Sequence, residues 1–249
     1  MIKSIKKILF KTLGMENFLR LVQRSYFFAY KAGLLKNNSD YACHYFVKNL
    51  IKKGDVIIDL GANLGYYSIL FAEWTGSEGK VYSVEPIALY NKIFNEQAKK
   101  FKNITLLPYA LGLEEKPIEL VSSPAADFLN TGLPHVYNPD KDGDLESQKF
   151  RFKAEMKIPS RLFADLKRID YIKCDIEGFE KTVLSDLKEI ISRCRPTVQV
   201  EIWGENEAPL RTMFAELDYN AYKVVDGKLE MQEEAFSNRA GDYIFIPNQ

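Results

Sequence analysis

Three acidic residues in this chain stand where short apolar runs end, and they are the side chains best placed to do chemistry. Asp59, Glu85 and Asp175 each close a run that is rich in β-branched residues. Such runs are typical of buried parallel strands. Because ligands of open α/β sheets bind at the carboxyl ends of the strands, we expect the three acids to meet at one edge of a sheet.

The first acid begins the motif Asp59-Leu-Gly-Ala-Asn-Leu-Gly-Tyr-Tyr-Ser68. This order predicts a strand, a glycine turn and then a helix. Gly61 allows the chain to turn and a ligand to approach, and Gly65 leaves the first N–H groups of the helix free for a polar ligand group. An acid directly before the turn favours a cationic ligand over a pyrophosphate. One of Tyr66 and Tyr67 is expected to approach the ligand.

Glu85 and Pro86 end the second apolar run. A carboxylate at this position can accept hydrogen bonds from both hydroxyls of a ribose, which also occurs in nicotinamide-binding proteins. The nicotinamide fingerprint is G-x-G-x-x-G, however, and here Asn63 replaces its second glycine. A nicotinamide-dependent oxidoreductase therefore stays as an alternative, and so does a binding module of the same fold without catalysis.

The third motif, Asp175-Ile-Glu-Gly-Phe-Glu180, places three acids around a glycine. Asp175 and Glu177 are candidates for a general base, with His135 in an irregular segment behind them. The same acids would also suit a metal ion or simply the first turn of a helix. No complete set of metal ligands is visible, so no metal is predicted.

Other polar residues give weaker signals. Glu201 and Trp203 end another apolar run, where either the cleft or the core would accommodate them. His44 lies in a segment with helical spacing, which favours packing or the surface. Glu180 either belongs to the acidic site or simply faces solvent.

Strands and helices alternate along most of the chain. Strands are predicted at 56–60, 80–84, 104–107, 170–174 and 197–202, helices at 66–74 and 88–101, and a terminal antiparallel strand pair at 220–225 and 242–246. This alternation predicts a doubly wound α/β fold with a mostly parallel sheet and helices on both faces. Residues 122–150 are rich in Pro, Gly, Asn and Asp and are predicted to form a lid loop.

The first 52 residues are predicted to be a helical extension of a domain that covers 53–249. Residues 2–36 show helical spacing of apolar residues, and residues 40–52 are predicted to form a further helix. Within residues 2–36 one acid, Glu16, stands against eight cations: Lys3, Lys6, Lys7, Lys11, Arg20, Arg24, Lys31 and Lys36. Such helices can lie on an anionic membrane, pack on the domain or form a contact between two copies.

Composition excludes several classes of protein. The formal net charge of zero gives no reason to expect a nucleic-acid partner. Cys43, Cys174 and Cys194 show no disulfide or zinc spacing, which favours a reducing, cytoplasmic location, with membrane contact only at its inner face. No apolar run is long enough to predict a membrane span.

Four motifs together resemble the FkbM family of methyltransferases: Asp59–Ser68, Val84-Glu-Pro86, Ala110-Leu-Gly112 and Ile172–Glu180. The resemblance covers about residues 54–204. It implies a class I, Rossmann-like methyltransferase sheet of seven strands and S-adenosyl-L-methionine as cofactor. It also implies O-methylation of a sugar, a glycan or another hydroxylated natural product.

Carried over by position, the resemblance implies that Asp59, Gly61, Asn63 and Gly65 line the cofactor. It further implies that Glu85 holds the ribose hydroxyls and that Ala110 lies near the adenine. The neighbouring positions that complete the predicted cofactor site are Ala62, Tyr66, Pro86 and Asp175.

Overall fold

The computed structural model describes residues 2–122, 128–203, 207–232 and 241–248, with side chains from residue 4 onward. Part of the predicted lid, residues 123–127, therefore lies outside the described residues. In chain order the strands are β1 (Val56–Leu60), β2 (Lys80–Val84), β3 (Ile104–Leu107), β4 (Tyr109–Leu111), β5 (Lys116–Ser122), β6 (His135–Val136), β7 (Phe150–Lys157), β8 (Tyr171–Cys174), β9 (Thr197–Ile202), β10 (Tyr219–Val225), β11 (Lys228–Met231) and β12 (Gly241–Pro247). The α-helices are α1 (Ile2–Lys31), α2 (Ala42–Phe46), α3 (Tyr66–Thr75), α4 (Ala88–Ala98), α5 (Pro139–Asp142), α6 (Pro159–Leu162), α7 (Glu180–Asp186), α8 (Lys188–Cys194) and α9 (Glu207–Glu216).

The main sheet has the strand order β11-β10-β12-β9-β8-β1-β2-β3. The strands from β9 to β3 are parallel, and β12 and β10 join them in antiparallel pairing. Because β1 is flanked by β2 and by β8, the strand order reverses there, which is where a doubly wound sheet binds its ligand. The predicted fold class is confirmed, and β11 adds an eighth strand at the edge.

Both faces of this sheet are covered by helices. Ile58 and Leu60 of β1 pack in the cluster that contains α7, α8 and α9, whereas Ile57, which precedes Ile58, packs with Phe71 of α3 on the other face. Side chains alternate between the two faces of a strand, so a strand buried on both faces must be apolar throughout. This explains why the parallel strands could be recognised in the sequence.

A second sheet of four strands, in the order β4-β7-β5-β6, was not predicted. Strands β5 and β7 pair antiparallel from Lys116 opposite Met156 to Ser122 opposite Phe150. The predicted lid of 122–150 therefore begins where one strand of this pair ends and stops where the other begins. Charged residues alternate with apolar ones in β7, and β5 contains Lys116, Pro117 and Glu119, so neither strand is a continuous apolar run of the kind that marks a buried parallel strand.

The N-terminal segment packs on the domain. Helix α1 is interrupted at Gly14, whose backbone is not helical (φ 70°, ψ 167°). Phe18 and Leu19 are buried, and Nε2 of the buried Gln23 donates to the carbonyl of Leu64, 2.6 Å away. In place of the helix predicted over 40–52, the structure has the short α2, of 5 residues, between two 3₁₀ turns. None of the helices in the described part of the chain is long and apolar enough to span a membrane.

Candidate active site

The turn after β1 contains the two predicted glycines, but packing explains them better than contact with a ligand. A Cβ atom on Gly61 would lie 1.7 Å from the carbonyl oxygen of Asp175, and one on Gly65 would lie 2.3 Å from the ring of Phe94. Both glycines have positive φ, 81° and 83°, as does Asn63 at 52°. Side chains are therefore excluded at both glycines by neighbouring atoms as well as by the backbone conformation.

Glu85 is held by this turn and by the start of α4. Its Oε2 accepts the N–H of Asn63 at 2.9 Å, and its Oε1 accepts the N–H of Ile87 at 2.8 Å. The side chain is buried, and burial raises the pKa of Glu85 to about 7 despite these two bonds. An ionised carboxylate has about four lone-pair sites, so it can accept further hydrogen bonds from a ligand.

A cavity opens in front of Glu85 and has a volume of about 740 Å³, its open mouth included. Eight of the predicted site residues line it: Gly61, Asn63, Glu85, Pro86, Ala110, His135, Asp175 and Glu177. The remaining four, Asp59, Ala62, Gly65 and Tyr66, are not among its lining residues. The cavity lies at the carboxyl ends of β1, β2 and β8, which is where an open α/β sheet binds its ligand.

Several lining residues were not predicted from the sequence. Tyr109 comes from β4, Thr131 and Gly132 come from the segment between β5 and β6, and Phe179 lies within the third acidic motif. The segment after β5 is tied to the turn, because Nδ2 of Asn63 donates to the carbonyl of Thr131 at 2.9 Å. In the sequence, the segment that contains Thr131 and Gly132 could only be predicted to be a loop, and a loop prediction does not indicate which of its residues face a ligand.

Asp59 lies beneath the turn. It is fully buried, its Oδ2 accepts the hydroxyl of Ser68 at 2.5 Å, and Ser68 in turn accepts that of Ser83 at 2.7 Å. Its Oδ1 has no hydrogen-bond partner among the described residues. Burial raises the pKa of Asp59, although Lys173 acts in the opposite direction. A buried oxygen without a partner is suited to a water or a donor group of a ligand.

Tyr66 packs away from the cavity. Its ring meets that of Tyr26 of α1 at 4.5 Å between centroids, and its hydroxyl shares a hydrogen bond with Thr131. Ala62 is buried in a small apolar cluster with Phe94. Both residues thus support the turn from behind.

Asp175 is paired with a buried lysine. Nζ of Lys173 donates to its Oδ2 at 3.0 Å, and only 5% of the lysine side chain is exposed. Burial alone would raise the pKa of Asp175, but the ammonium of Lys173 and a hydrogen bond with Glu201 hold it below its usual value. Burial and the nearby charge of Asp175 raise the pKa of Glu201 to about 7. The shared proton of this pair therefore belongs on Glu201.

Glu177 lies at the mouth of the cavity, with positive φ (54°). Burial of its carboxyl group and the charges of Asp175 and Glu201 raise the pKa of Glu177 to about 8, although the residue as a whole is exposed. Glu180 lies in the first turn of α7, one of the positions considered for these acids, and does not face solvent. It is buried, and its Oε1 accepts the N–H groups of Ile176 and Gly178, both at 3.1 Å.

The two histidines differ in their surroundings. His135 lines the cavity, but its Nε2 lies 2.9 Å from Oδ1 of Asp142 and its Nδ1 lies 3.1 Å from the carbonyl of Leu133. Because both ring nitrogens face oxygen atoms, neither directs a lone pair into the cavity. His44 packs at 4.1 Å from the ring of Tyr67, as its predicted packing role requires, and burial followed by Lys173 lowers its pKa to about 3.

Trp203 lies at the surface beside the acidic cluster of Asp175, Glu177 and Glu201. Its side chain is 61% exposed and is hydrogen-bonded to Glu201. Across residues 4–122, 128–203, 207–232 and 241–248, no three His, Cys, Asp or Glu side chains are arranged to hold a metal ion. The described site thus consists of a cavity with Glu85 on one side and a cluster of carboxyl groups on the other.

Comparisons with known proteins agree with this geometry. Residues 59–224 match the family model described as the methyltransferase FkbM domain, which is more than half of the 249 residues. None of the curated proteins compared with the chain matches it.

Solved structures show the fold. Methyltransferase FkbM from Methylobacillus flagellatus superposes with a TM-score of 0.52 at 14% identity, over 82% of this chain and 47% of that one. This chain therefore spans about half the length of that protein. A SAM-dependent O-methyltransferase from Thermotoga maritima, also 14% identical, gives a TM-score of 0.43 over 83% of this chain and 64% of that one, which is too low to support an argument. The match of residues 59–224 places this chain in the FkbM family of S-adenosylmethionine-dependent methyltransferases.

Proposed function

We propose that this protein transfers a methyl group from S-adenosylmethionine to a hydroxyl oxygen of a sugar, a glycan or another hydroxylated natural product. The observation that carries the proposal is Glu85, a carboxylate held by two backbone N–H groups at the wall of a cavity in front of the glycine turn. The cofactor supplies the activated methyl group, and the protein supplies position and electrostatics.

The residues of the cavity fit this cofactor in two places. Glu85 retains lone pairs for the two ribose hydroxyls, while Ala110 and Leu111 offer an apolar wall suited to the adenine base. The unpartnered Oδ1 of Asp59 beneath the turn favours a cationic group, as the methionine end of the cofactor carries. That contact would reach Asp59 through a water, since Asp59 is not a lining residue.

We propose Glu177 as the group that removes the acceptor proton. A general base works best when its pKa is near the working pH, and the pKa of Glu177 is raised to about 8. Asp175 is a weaker base because Lys173 and the proton on Glu201 already occupy its oxygens. Its proposed role is to orient the acceptor and to hold the acidic cluster in place. His135, whose nitrogens both face oxygens, is a third candidate.

The charge of this side of the site bears on the acceptor. Asp175, and Glu177 once it has lost its proton to act as base, would repel a phosphate or carboxylate group, whereas neutral hydroxyl groups can exchange hydrogen bonds with the carboxyl groups of Asp175, Glu177 and Glu201. The cluster therefore favours an uncharged, hydroxyl-rich acceptor. A cytoplasmic location, where the cofactor is made, is part of this proposal.

One observation disfavours the nicotinamide alternative. The N–H groups of Gly61 and Ala62 both donate to the carbonyl of Val84, at 3.0 and 2.9 Å, so they are not free to bind a pyrophosphate. A binding module without catalysis would keep the cofactor cavity but would have no need of a base with a raised pKa.

The test combines cofactor binding with a search for acceptors. We expect S-adenosylhomocysteine, and not NAD, to raise the melting temperature. At a hundred times its dissociation constant, the ligand should add roughly 2.7 kcal/mol to the free energy of unfolding. The protein would then be incubated with labelled S-adenosylmethionine and pools of neutral sugars, glycans and phenolic compounds. Label in a product that survives mild alkali would indicate an ether, whereas stabilisation by NAD alone would contradict the proposal.

A further inference from the structure

We propose that the outward side of α1 binds the surface of an anionic membrane. This surface comprises the exposed apolar residues Ile5, Ile8, Leu21 and Phe28 together with Lys11 and Arg24, and is called the α1 outer surface below. Neither the methyl transfer nor the cofactor cavity enters the argument for it.

Exposed apolar side chains are concentrated in the N-terminal segment. Eleven large apolar side chains are exposed in the described part of the chain, and six of them are Ile5, Ile8, Leu13, Leu21, Phe28 and Leu34. Phe28 is 71% exposed and Ile8 is 60% exposed. Single exposed apolar residues are common, but a concentration on one helix marks an interaction surface.

The inward side of α1 is already satisfied by the domain. Phe18 and Leu19 are buried in an apolar cluster, and the ring of Phe10 contacts those of Phe18 and Phe150 at 5.4 and 5.9 Å between centroids. Phe10 before the break at Gly14, and Phe18, Leu19 and the buried Gln23 after it, thus fix which side of each half of α1 faces the domain. Packing on the domain, the alternative role of this segment, therefore accounts for one side of α1 and leaves the other unexplained.

Cations accompany the apolar residues at helical spacing. Lys11 follows Ile8 by three residues, and Arg24 lies between Leu21 and Phe28, so each half of the helix presents a cation within one turn of an exposed apolar side chain. All these residues are exposed. An apolar stripe bordered by cations is the pattern of helices that lie in the membrane interface.

The sole acid of α1 does not offset this charge. Glu16 is paired with Arg20 and with Lys92 of α4, the latter at 2.8 Å. The α1 outer surface is therefore positive as well as apolar. A second copy of the chain bound face to face would bring the same cations together, which costs energy, whereas anionic lipid headgroups would neutralise them.

The test is sedimentation of the full chain with vesicles of phosphatidylcholine, with and without phosphatidylglycerol. We expect binding only to the anionic vesicles, and release at high salt. The double substitution Lys11→Gln with Arg24→Gln should lower the partition coefficient about 30-fold, because each cation near the surface contributes about a fivefold factor. Ile8→Gln with Phe28→Gln should lower it by at least as much, through the loss of apolar burial.

Matched controls lie elsewhere on the surface. Leu113, 61% exposed, and Lys102, also exposed, are outside α1, so Leu113→Gln and Lys102→Gln should leave vesicle binding unchanged. Thermal unfolding of every variant checks that the fold is kept. Equal binding to neutral and anionic vesicles, or no effect of the cation substitutions, would overturn the proposal. A second contradicting result would be that the wild type forms a dimer in analytical ultracentrifugation, that Phe28→Gln dissociates this dimer, and that neither the wild type nor the variant binds vesicles.

Discussion

The ammonium of Lys173 lies 3.0 Å from the carboxylate of Asp175, and both belong to the strand end that borders the cavity. Lys173 also stands opposite Asp59 in the register of β1 and β8, and it lies 4.9 Å from the ring of Tyr67. One buried cation thus faces several acids of the site. Its removal would leave those acids without compensation in a region of low dielectric constant.

Lys173→Met should therefore destabilise the protein by about 3–5 kcal/mol, the usual cost of breaking a buried ion pair. The same substitution at Lys188, which pairs with Glu216 on the surface at 2.7 Å, should cost only about 0–1 kcal/mol. Urea unfolding of both variants measures the difference. Equal losses would show that Lys173 is not needed to balance the buried acids.

Glu85→Gln should weaken the binding of S-adenosylhomocysteine by about 1.5–3 kcal/mol, because charge-assisted hydrogen bonds are lost. Since the pKa of Glu85 is raised to about 7, wild-type affinity should increase as the pH rises through 7 and the carboxylate ionises. The variant should lose this dependence. Calorimetric titration at several pH values tests it, with exposed Glu78→Gln as the control. An unchanged dissociation constant would remove Glu85 from the ribose site.

Glu177→Gln should lower kcat by about 10²–10⁴-fold with little change in cofactor affinity, if this residue is the base. Wild-type kcat should rise with pH through about 8, because the base must be ionised, and the variant should lack that limb. Glu189→Gln on the exposed side of α8 provides a control. Full turnover in the variant would transfer the role to Asp175 or His135.

His44 should make the protein less stable in mild acid. Its pKa is lowered to about 3 in the folded state, below the usual 6.5, so the unfolded chain binds the proton first as the pH falls. The stability that the neutral ring contributes is complete above pH 6.5 and is lost between 6.5 and 3. The slope from this one group is at most about 1.4 kcal/mol per pH unit. Urea unfolding of the wild type and of His44→Gln at pH 7, 6 and 5 measures this loss of stability. If the free energy of unfolding depends on pH in the same way in both proteins, His44 is not its source.

The strand-end acids could be predicted because β1, β2 and β8 are mostly buried, so a short and largely apolar run leads to each acid, with Ser83 in β2 and Lys173 in β8 among the polar exceptions. What each acid does there depends on register, which pairs Asp59 with Lys173 and directs Asp59 under the turn. Register between strands more than a hundred residues apart leaves no local pattern in the chain. The pairing of β5 with β7 across the predicted loop was missed because neither strand is a continuous apolar run and their register leaves no local pattern either.

Trp203 offers an optical consequence of the acidic cluster. It is one of two tryptophans in the chain; the other, Trp74, packs at the edge of an apolar cluster under the sheet. Since the exposed indole of Trp203 is hydrogen-bonded to Glu201, its fluorescence should respond to the protonation of that carboxyl near pH 7 and to any acceptor that displaces water from it. A change in the emission of Trp203 can thus report the binding of an acceptor next to Glu201 without any added label.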